Sequence, residues 1–367
     1  MQLFDMTENK RHEQILFCQD EASGLRSIIA IHDTSPGLAM GATRLFPYAS
    51  EADALKDALR LSRGMTYKAA CANIPVGGGK AVIIAKPEDK TPELLRAYGR
   101  FINRLNGRFV TGQDINLNAQ DVREISRETA HVVGTQEHNG GPVAATALGV
   151  LRGIQAALAF QRNTRDLHGL KVAVQGLGNV GGALCKHLHE QGATLLVSDI
   201  SSARVTEMVR QYGAIAVDPD EIYAQNVDIF SPCAMGAILS EKTIPQLKAS
   251  IVAGSANNQL AEEKRDSGLL AEKEILYCPD YVINSGGLIN VYHEMIGYEE
   301  RKATQHVEGI YGTLTEIFQQ SKQLGISSHA SAHRLGDRKI AENHAQDHAR
   351  RGSVKTVKNK VTALQSA

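Results

Sequence analysis

Two lysines and one aspartate in the first third of the chain have the types and spacing of a site that moves protons. Lys80 lies twelve positions after Lys68, and Asp114 lies in a predicted loop beside a glycine. A neighbouring cation and burial would both lower the pKa of Lys80, which makes an amine a usable base near neutral pH. The two cations also suit a substrate carboxylate, and Asp114 could carry a second proton. Two surface lysines beside a flexible turn are the simpler alternative.

The three glycines before Lys80 invite comparison with a phosphate-binding P-loop. That motif requires Ser or Thr after its lysine, where this chain has Ala81, and the first glycine of the motif is missing. A triple glycine beside a predicted strand instead indicates close approach of the backbone to a ligand or to another segment.

A second cluster, residues 171–181, has the pattern of a strand, a glycine turn and the start of a helix. Gly176, Gly178 and Gly181 have the GxGxxG spacing that allows a tight turn, backbone approach to a pyrophosphate and close helix–strand packing. The helix amides would then face the phosphates. The next predicted strand ends at Asp199, which is placed to accept hydrogen bonds from an adenosine ribose. This context favours dinucleotide binding over an ordinary strand–helix turn.

Apolar periodicity predicts the elements that position these residues. In the first 135 residues it predicts strands over 27–32 and 108–111 and helices over 51–63 and 92–105. Gly64 is expected to end the first helix, and Thr91 to cap the second. After about residue 145 it predicts a helix over 146–160, strands over 171–175, 194–198, 227–230, 251–253, 275–277 and 281–283, and helices over 287–323. Such alternation indicates a parallel sheet covered on both faces.

Length and composition limit the class of protein. The 367 residues are enough for two domains, and 43% hydrophobic and 22% charged residues are ordinary for a globular protein. A net charge of zero offers no electrostatic case for nucleic acid or a membrane surface, and no apolar stretch is expected to reach the roughly 20 residues of a membrane span. The five cysteines form no CxxC pair, which favours reduced thiols in a cytoplasmic protein.

Two histidine pairs near the C-terminus have the i,i+4 spacing of helical metal ligands. His329/His333 and His344/His348 lie among Ser, Ala, Arg and Gln without a carboxylate constellation. We therefore expect solvated helix faces and predict no metal site.

Six motifs in order resemble the glutamate, leucine, phenylalanine and valine dehydrogenase superfamily. They are residues 64–68, 77–80, 112–114, 176–181, 256–258 and 280–287. Residues 67–75 and 287–292 carry a narrower resemblance to the leucine-dehydrogenase-like tryptophan dehydrogenases of cyanobacteria.

The resemblance implies two α/β domains with a catalytic cleft between them. Residues 1–138, joined by C-terminal helices 325–367, would form the N-terminal substrate-binding and oligomerisation domain. Residues 139–324 would form an NAD-binding Rossmann domain. The implied partners are an amino acid, its 2-oxo acid, ammonia and further copies of the same chain.

The resemblance also implies roles for individual residues. Lys68 would bind the α-carboxylate, Lys80 would activate the water that attacks the imine, and Asp114 would exchange a proton with the amino group. The residues implied in NAD binding are Thr146, Gly176, Gly178, Asn179, Val180, Gly181, Asp199 and Asn257. Asn258 would lie near the substrate.

The expected substrate is an apolar L-amino acid. Glutamate enzymes of the superfamily place a lysine where this chain has Met40, and burying a γ-carboxylate there without a partner would be costly. The implied pocket is Met40, Ala69, Ile74, Val110, Leu288, Ile289 and Tyr292; each residue taken singly could equally be core. Tryptophan, deaminated to indole-3-pyruvate, is favoured, and leucine, another branched-chain residue or phenylalanine is the alternative. A non-catalytic dinucleotide-binding homologue is the other class considered.

Overall fold

The chain forms two compact units, each with its own sheet. The structure, a computed structural model, describes residues 11–135 and 141–365, with side chains as far as 349. One unit comprises Met1–Gln136 and Gly336–Ala367, and the other comprises Glu137–Leu335. The predicted boundary at 138–139 lies outside the described residues.

The first unit is a mixed sheet with helices. Its elements are β1 (Gln14–Asp20), β2 (Leu25–Ile31), β3 (Ala39–Met40), β4 (Thr43–Phe46), α1 (Glu51–Cys71), β5 (Gly77–Ile84), α2 (Pro92–Arg104), β6 (Phe109–Val110) and α3 (Ala119–Ser126). The strand order is β1-β2-β5-β3-β6, and β4 also pairs with β5. β5 is antiparallel to β2 and parallel to β3 and β4, so it is the strand around which this unit is organised.

The ends of α1 and α2 follow from their capping residues, with one departure from expectation. The Thr91 side chain accepts a hydrogen bond from the Leu94 amide, which confirms the predicted cap of α2. The prediction that Gly64 ends the first helix is wrong, because α1 continues to Cys71. A glycine inside a helix costs only about 1 kcal/mol, and the buried face of α1 resumes at Thr66.

The second unit is a doubly wound parallel sheet. Its elements are α4 (Gly141–Arg162), β7 (Lys171–Gln175), α5 (Asn179–Glu190), β8 (Thr194–Ser198), α6 (Ser202–Tyr212), β9 (Ile215–Ala216), β10 (Ile229–Pro232), β11 (Ile251–Val252), α7 (Glu263–Glu272), β12 (Leu276–Tyr277), α8 (Asp280–Ile283), α9 (Gly286–Ile296), α10 (Glu300–Glu308), α11 (Ile310–Leu324) and the start of α12 (Ser328–Gln365), which from Gly336 onward belongs to the first unit. The strand order is β12-β11-β10-β7-β8-β9 with parallel neighbours throughout. This is the Rossmann order, and it reverses between β7 and β10. The strand predicted over 281–283 is instead the short helix α8.

Helix α4 corrects the expectation about apolar stretches. Its 22 residues are long and apolar enough to cross a membrane by length and composition. The helix nevertheless packs inside the second unit. A Cβ at Gly153 would lie 2.4 Å from Ile283 Cγ1, and one at Gly149 would lie 2.7 Å from Ile310 Cδ1. Its apolar surface therefore serves the core of this unit.

The two histidine pairs differ in their surroundings. His344 and His348 are exposed, as predicted. The prediction of a solvated face is wrong for the other pair, because His329 is buried and Glu263 of α7 places a carboxylate beside both His329 and His333. This carboxylate is distant in sequence, so the residues around the histidines gave no sign of it.

Candidate active site

Lys80 and Asp114 meet within the first unit. Lys80 lies on β5 opposite Ala30 of β2 and is only 6% exposed. Asp114 lies in the loop after β6, and its Oδ2 accepts a hydrogen bond from Lys80 Nζ at 2.5 Å. The structure therefore joins two of the three residues predicted as catalytic in one ion pair, whose lysine is buried and whose aspartate is half-buried.

Arg44 also contacts Asp114, and the sequence motifs did not predict this contact. Its Nε lies 3.3 Å from Asp114 Oδ2, and one of its terminal nitrogens lies 2.9 Å from Asp57 Oδ2. Tyr48 also donates a hydrogen bond to Asp57, at 2.7 Å. A cation next to Leu45 and Phe46 in a short strand was the available sequence signal.

Electrostatics move both members of the pair away from their ordinary pKa values. Burial lowers the pKa of Lys80; the Asp114 carboxylate opposes this, and the net direction remains downward. Burial would raise the pKa of Asp114, but the charges of Lys80 and Arg44 outweigh it and lower this pKa. The lowered pKa of Lys80 makes its amine a better base, and the lowered pKa of Asp114 keeps its carboxylate ionised beside that amine. The two groups can therefore serve general acid–base chemistry.

The triple glycine allows α1 to pack directly on β5. A Cβ at Gly78 would lie 2.2 Å from the Thr66 amide nitrogen and 2.4 Å from the Ser62 carbonyl oxygen. The glycines lie in a strand, whereas a P-loop needs a loop before a helix. Of the two explanations for the triple glycine, close approach of another segment is therefore confirmed. Lys68 follows Thr66 by two residues on the helix held in this way, and it is partly exposed.

Four of the predicted substrate residues belong to the first unit, where they form two neighbouring pairs. Met40 on β3 pairs with Gly78 on one side and with Val110 on the other. Ile74 donates its amide to the Ala69 carbonyl at 3.0 Å, just after α1 ends. All four predicted residues are buried, and two of them lie on strands of the sheet that carries Lys80.

The other three predicted substrate residues lie on α9 in the second unit. Leu288 and Ile289 are buried, and Tyr292 is half-buried. The ring of Tyr292 meets that of His293 edge to face at 5.6 Å. Burial raises the pKa of Tyr292, so its hydroxyl stays protonated at neutral pH.

The glycine loop after β7 has the shape that a pyrophosphate needs. Gly176 has φ +94°, and a Cβ there would lie 2.5 Å from that of Ala234, which follows β10 at the switch point. A Cβ at Gly181 would lie 2.0 Å from the Gly176 carbonyl oxygen, whereas one at Gly178 would meet nothing within 4 Å. Gly178 also caps α5, whose first residues are Asn179 and Val180. The loop is thus tight on its protein side and open at the helix N-terminus, where phosphate oxygens bind.

Asp199, the residue after β8, forms hydrogen bonds with the backbone of this loop. Its Oδ2 accepts a hydrogen bond from the Leu177 amide at 2.6 Å, and its Oδ1 accepts one from the Ser201 amide at 2.8 Å. Arg204 lies 3.9 Å from the same Oδ2. The acid predicted to hold a ribose therefore also fixes the glycine turn.

The two asparagines predicted near the nicotinamide are held by the segment that begins at Asp280. Asn258 has φ +50°, and its amide donates to Asp280 Oδ2 at 2.5 Å. Asn284 donates from its side chain to Asn257 Oδ1 at 2.8 Å. Asp280 and Asn284 belong to the motif at residues 280–287, but the sequence predicted no role for either residue. Their partners, Asn258 and Asn257, lie in another loop.

Thr146 occupies the first half of α4. Its hydroxyl donates to the Pro142 carbonyl at 2.7 Å, and a Cβ at Gly287 would lie 2.9 Å from its oxygen. The first turn of α9 therefore passes against the Thr146 hydroxyl, in the same unit as the glycine loop.

A doubly wound sheet with an open glycine loop at its switch point defines the class of dinucleotide-binding enzymes. The family described as "Glu/Leu/Phe/Val dehydrogenase, dimerisation domain" matches residues 12–138, and "Glutamate/Leucine/Phenylalanine/Valine dehydrogenase" matches residues 140–347. The chain belongs to this family.

Individual relatives match over nearly the whole chain. The L-tryptophan dehydrogenase of Nostoc punctiforme is 59% identical over 343 residues, which are 94% of this chain and 97% of the relative. The leucine dehydrogenase of Bacillus subtilis is 48% identical over 344 residues, which are 93% and 94% of the two chains. The crystal structure of the Nostoc punctiforme enzyme matches with a TM-score of 0.84 at 57% identity, covering 93% of this chain and 99% of that one.

These matches confirm the resemblance predicted from the motifs and the two-domain α/β architecture. The chain is an amino-acid dehydrogenase, an oxidoreductase that depends on a dinucleotide.

Proposed function

We propose that this chain catalyses the reversible NAD-dependent oxidative deamination of L-tryptophan to indole-3-pyruvate and ammonia. The observation that carries the chemistry is the buried Lys80–Asp114 pair with its 2.5 Å hydrogen bond. It supplies a base and an acid in one place, and a non-catalytic homologue would have no need to bury this pair.

The residues of the first unit have separate roles in the reaction. Lys68 binds the substrate α-carboxylate with its ammonium group. Lys80, whose pKa is lowered, takes a proton from the water that attacks the substrate imine. Asp114 exchanges a proton with the amino group that leaves as ammonia. When bound, NAD accepts the hydride from the substrate Cα.

The second unit binds the cofactor. The backbone at Gly176, Gly178 and Gly181 and the first amides of α5 hold the pyrophosphate, and Asp199 accepts from the ribose. Thr146 contacts the nicotinamide amide. NAD is preferred over NADP because the buried carboxylate of Asp199 repels a 2′-phosphate.

Tryptophan is supported by the 59% identity to an L-tryptophan dehydrogenase and by the buried methionine at position 40. Met40 offers no partner for the γ-carboxylate of glutamate, and a thioether adapts its shape to a flat ring. Tyr292 keeps a protonated hydroxyl whose oxygen accepts from the indole N–H.

A panel of L-amino acids tests this proposal. Purified protein with NAD is given each amino acid, and formation of NADH is followed by its absorbance. We expect the highest kcat/KM for tryptophan, lower values for leucine and phenylalanine, and almost none for glutamate. A leucine rate far above that of tryptophan would replace the substrate assignment, and silence with every amino acid would overturn catalysis itself.

We also propose that the chain forms a homo-oligomer through its first unit and works in the cytoplasm. The family description of residues 12–138 as a dimerisation domain supports the assembly. All five cysteines lie in the described part of the chain and are free thiols, as expected in a reducing compartment.

A further inference from the structure

Glu263, His329 and His333 form a cluster of ligand-type side chains that the dehydrogenase reaction does not use. All three belong to the second unit, and their ligand atoms lie within 4.8 Å of one another. Glu263 begins α7, while the two histidines lie one turn apart near the start of α12. Two imidazoles and a carboxylate are the donor set that divalent zinc takes in proteins.

The distances fit coordination by one ion. His329 Nε2 lies 3.7 Å from Glu263 Oε2, and His333 Nε2 lies 3.8 Å from the same oxygen. Ligands on a tetrahedral zinc ion are about 3.4 Å apart, given bonds of about 2.0–2.2 Å. The Glu263 side chain is 66% exposed, so a shift of the few tenths of an ångström that separate these values meets little steric resistance.

His329 provides an independent sign of a ligand. It is 6% exposed, and among the described residues neither of its ring nitrogens has a hydrogen-bond partner. Buried polar atoms are normally paired, and leaving one unpaired costs about 1–3 kcal/mol. An ion on Nε2 would satisfy the nitrogen that already faces Glu263.

The backbone around the cluster is held in place before any ion binds. Ser328 donates to the Tyr277 carbonyl at 2.6 Å, and Ser331 donates to the Ile317 carbonyl at 2.9 Å. The ring of Tyr281 covers one side, with its centroid 5.7 Å from that of His333 and 6.2 Å from that of His329. Such support reduces the cost of ordering ligands around a metal.

We propose that Glu263, His329 and His333 bind a zinc-class divalent cation that ties the start of α12 to α7. The ion uses both Nε2 atoms and the carboxylate, and water completes its coordination. It stabilises the second unit and takes no part in hydride transfer.

Zinc binding by the full chain tests this site. Protein stripped with EDTA is dialysed against Zn²⁺, and bound zinc and its affinity are measured together with the thermal unfolding midpoint. We expect one equivalent at this site and a higher unfolding midpoint with zinc. Glu263→Gln and His333→Gln change side chains that are exposed or half-buried. Each should weaken zinc binding by at least about tenfold, since mutation of a residue that only hydrogen-bonds to a ligand already lowers metal affinity by about that factor.

The other histidine pair provides the matched control. The double variant His344→Gln/His348→Gln removes two exposed histidines with the same spacing and should keep both the zinc equivalent and its stabilisation. Equal zinc affinity in wild type, Glu263→Gln and His333→Gln would show that the cluster is only an ion pair. Failure of the wild type to bind zinc, or equal loss in the control, would also overturn the site.

Discussion

At the scale of single residues, the active site depends on how burial and neighbouring charges set two pKa values. Lys80 would be an ordinary exposed ammonium if it stood on a loop. On the central strand β5 it is desolvated and bonded to Asp114 Oδ2, and Arg44 contacts the same carboxylate oxygen. The spacing of Lys68, Lys80 and Asp114 predicted a proton-transfer site. Arg44 lies beside Asp114 because β4 pairs with β5, and no local sequence pattern indicates this pairing.

Replacing Lys80 by alanine should remove catalysis while preserving cofactor binding. Loss of a general base typically lowers turnover by about 100- to 10,000-fold. The glycine loop belongs to the other unit, so the Kd for NAD, measured by equilibrium dialysis, should stay within about twofold. Lys86→Ala, at an exposed position just beyond β5, is the control and should keep normal turnover. Normal turnover in Lys80→Ala would refute the role of the base.

Replacing Arg44 by glutamine should move the pH dependence of activity. The Arg44 charge lowers the pKa of both Lys80 and Asp114, so its removal raises both values. The unprotonated amine is the active form, and kcat/KM should therefore rise at a higher pH than in the wild type.

Arg60→Gln is a matched control for this change. Arg60 also pairs with Asp57, at 3.1 Å. Among the described ion pairs, Arg60 pairs with Asp57 alone and does not contact Asp114. Its pH profile should match that of the wild type. An unchanged profile in Arg44→Gln would mean that the Lys80 pKa does not control the rate.

Replacing Asp199 by alanine should weaken NAD binding and reduce discrimination against NADP. The change removes both the ribose acceptor and the carboxylate that fixes the Leu177 amide. A charge-assisted hydrogen bond contributes about 1.5–3 kcal/mol, so we expect NAD affinity to fall about tenfold or more. Arg204→Ala is the comparison. It should leave the affinity for NAD unchanged and should lower the affinity for NADP below that of the wild type. Unaltered NAD affinity in Asp199→Ala would remove this residue from the cofactor site.

At the scale of elements, the order and type of most helices and strands followed from periodicity and capping. Thr91 begins α2 as predicted, and the strictly alternating elements after residue 145 form the parallel sheet. The errors occurred where tertiary packing overrides a local signal. Gly64 does not stop α1, whose later residues pack on β5, and residues 281–283 form a helix although their apolar run suits a strand.

Two glycine-to-alanine changes, one on β5 where α1 packs and one on the exposed side of α1, should have opposite effects on stability. A Cβ at Gly78 would collide with backbone atoms of α1, and such overpacking typically costs about 1–3 kcal/mol. Gly64 has nothing within 4 Å of a Cβ and lies inside the helix, so alanine there should add about 0.5–1 kcal/mol. Urea unfolding of both variants measures the difference. Equal free energies of unfolding would contradict the packing argument.

At the scale of the whole molecule, the assembly proposed for the first unit has a specific surface to test. Strand β1 ends its sheet, and Phe17 on it is 59% exposed. An edge strand with an exposed aromatic side chain is a site where another chain can add. β1 is paired with β2 on one side, and among the described strands its other side faces no neighbour.

A charge at this edge should therefore reduce the size of the oligomer. Phe17→Lys places an ammonium group on β1, and we expect smaller species in analytical ultracentrifugation. Ile215→Lys is the matched control, because Ile215 is 53% exposed on β9, the edge strand of the second sheet. It should leave the sedimentation profile unchanged. The same profile for Phe17→Lys would show that β1 is not part of the interface.

The sequence by itself predicted the family, the Rossmann half and the candidate catalytic residues, because each rests on a local pattern. A glycine turn, a periodic helix and a lysine after three glycines are all patterns of residues that are close together in the sequence. The tertiary structure alone decided the contacts between distant positions: Arg44 with Asp114, Gly78 with α1, and Glu263 with His329 and His333. Such contacts depend on which strands pair and which helices pack, and these choices minimise the free energy of a whole unit rather than of a segment. The carboxylate that turns a pair of histidines into a metal site could therefore be found only in the folded chain.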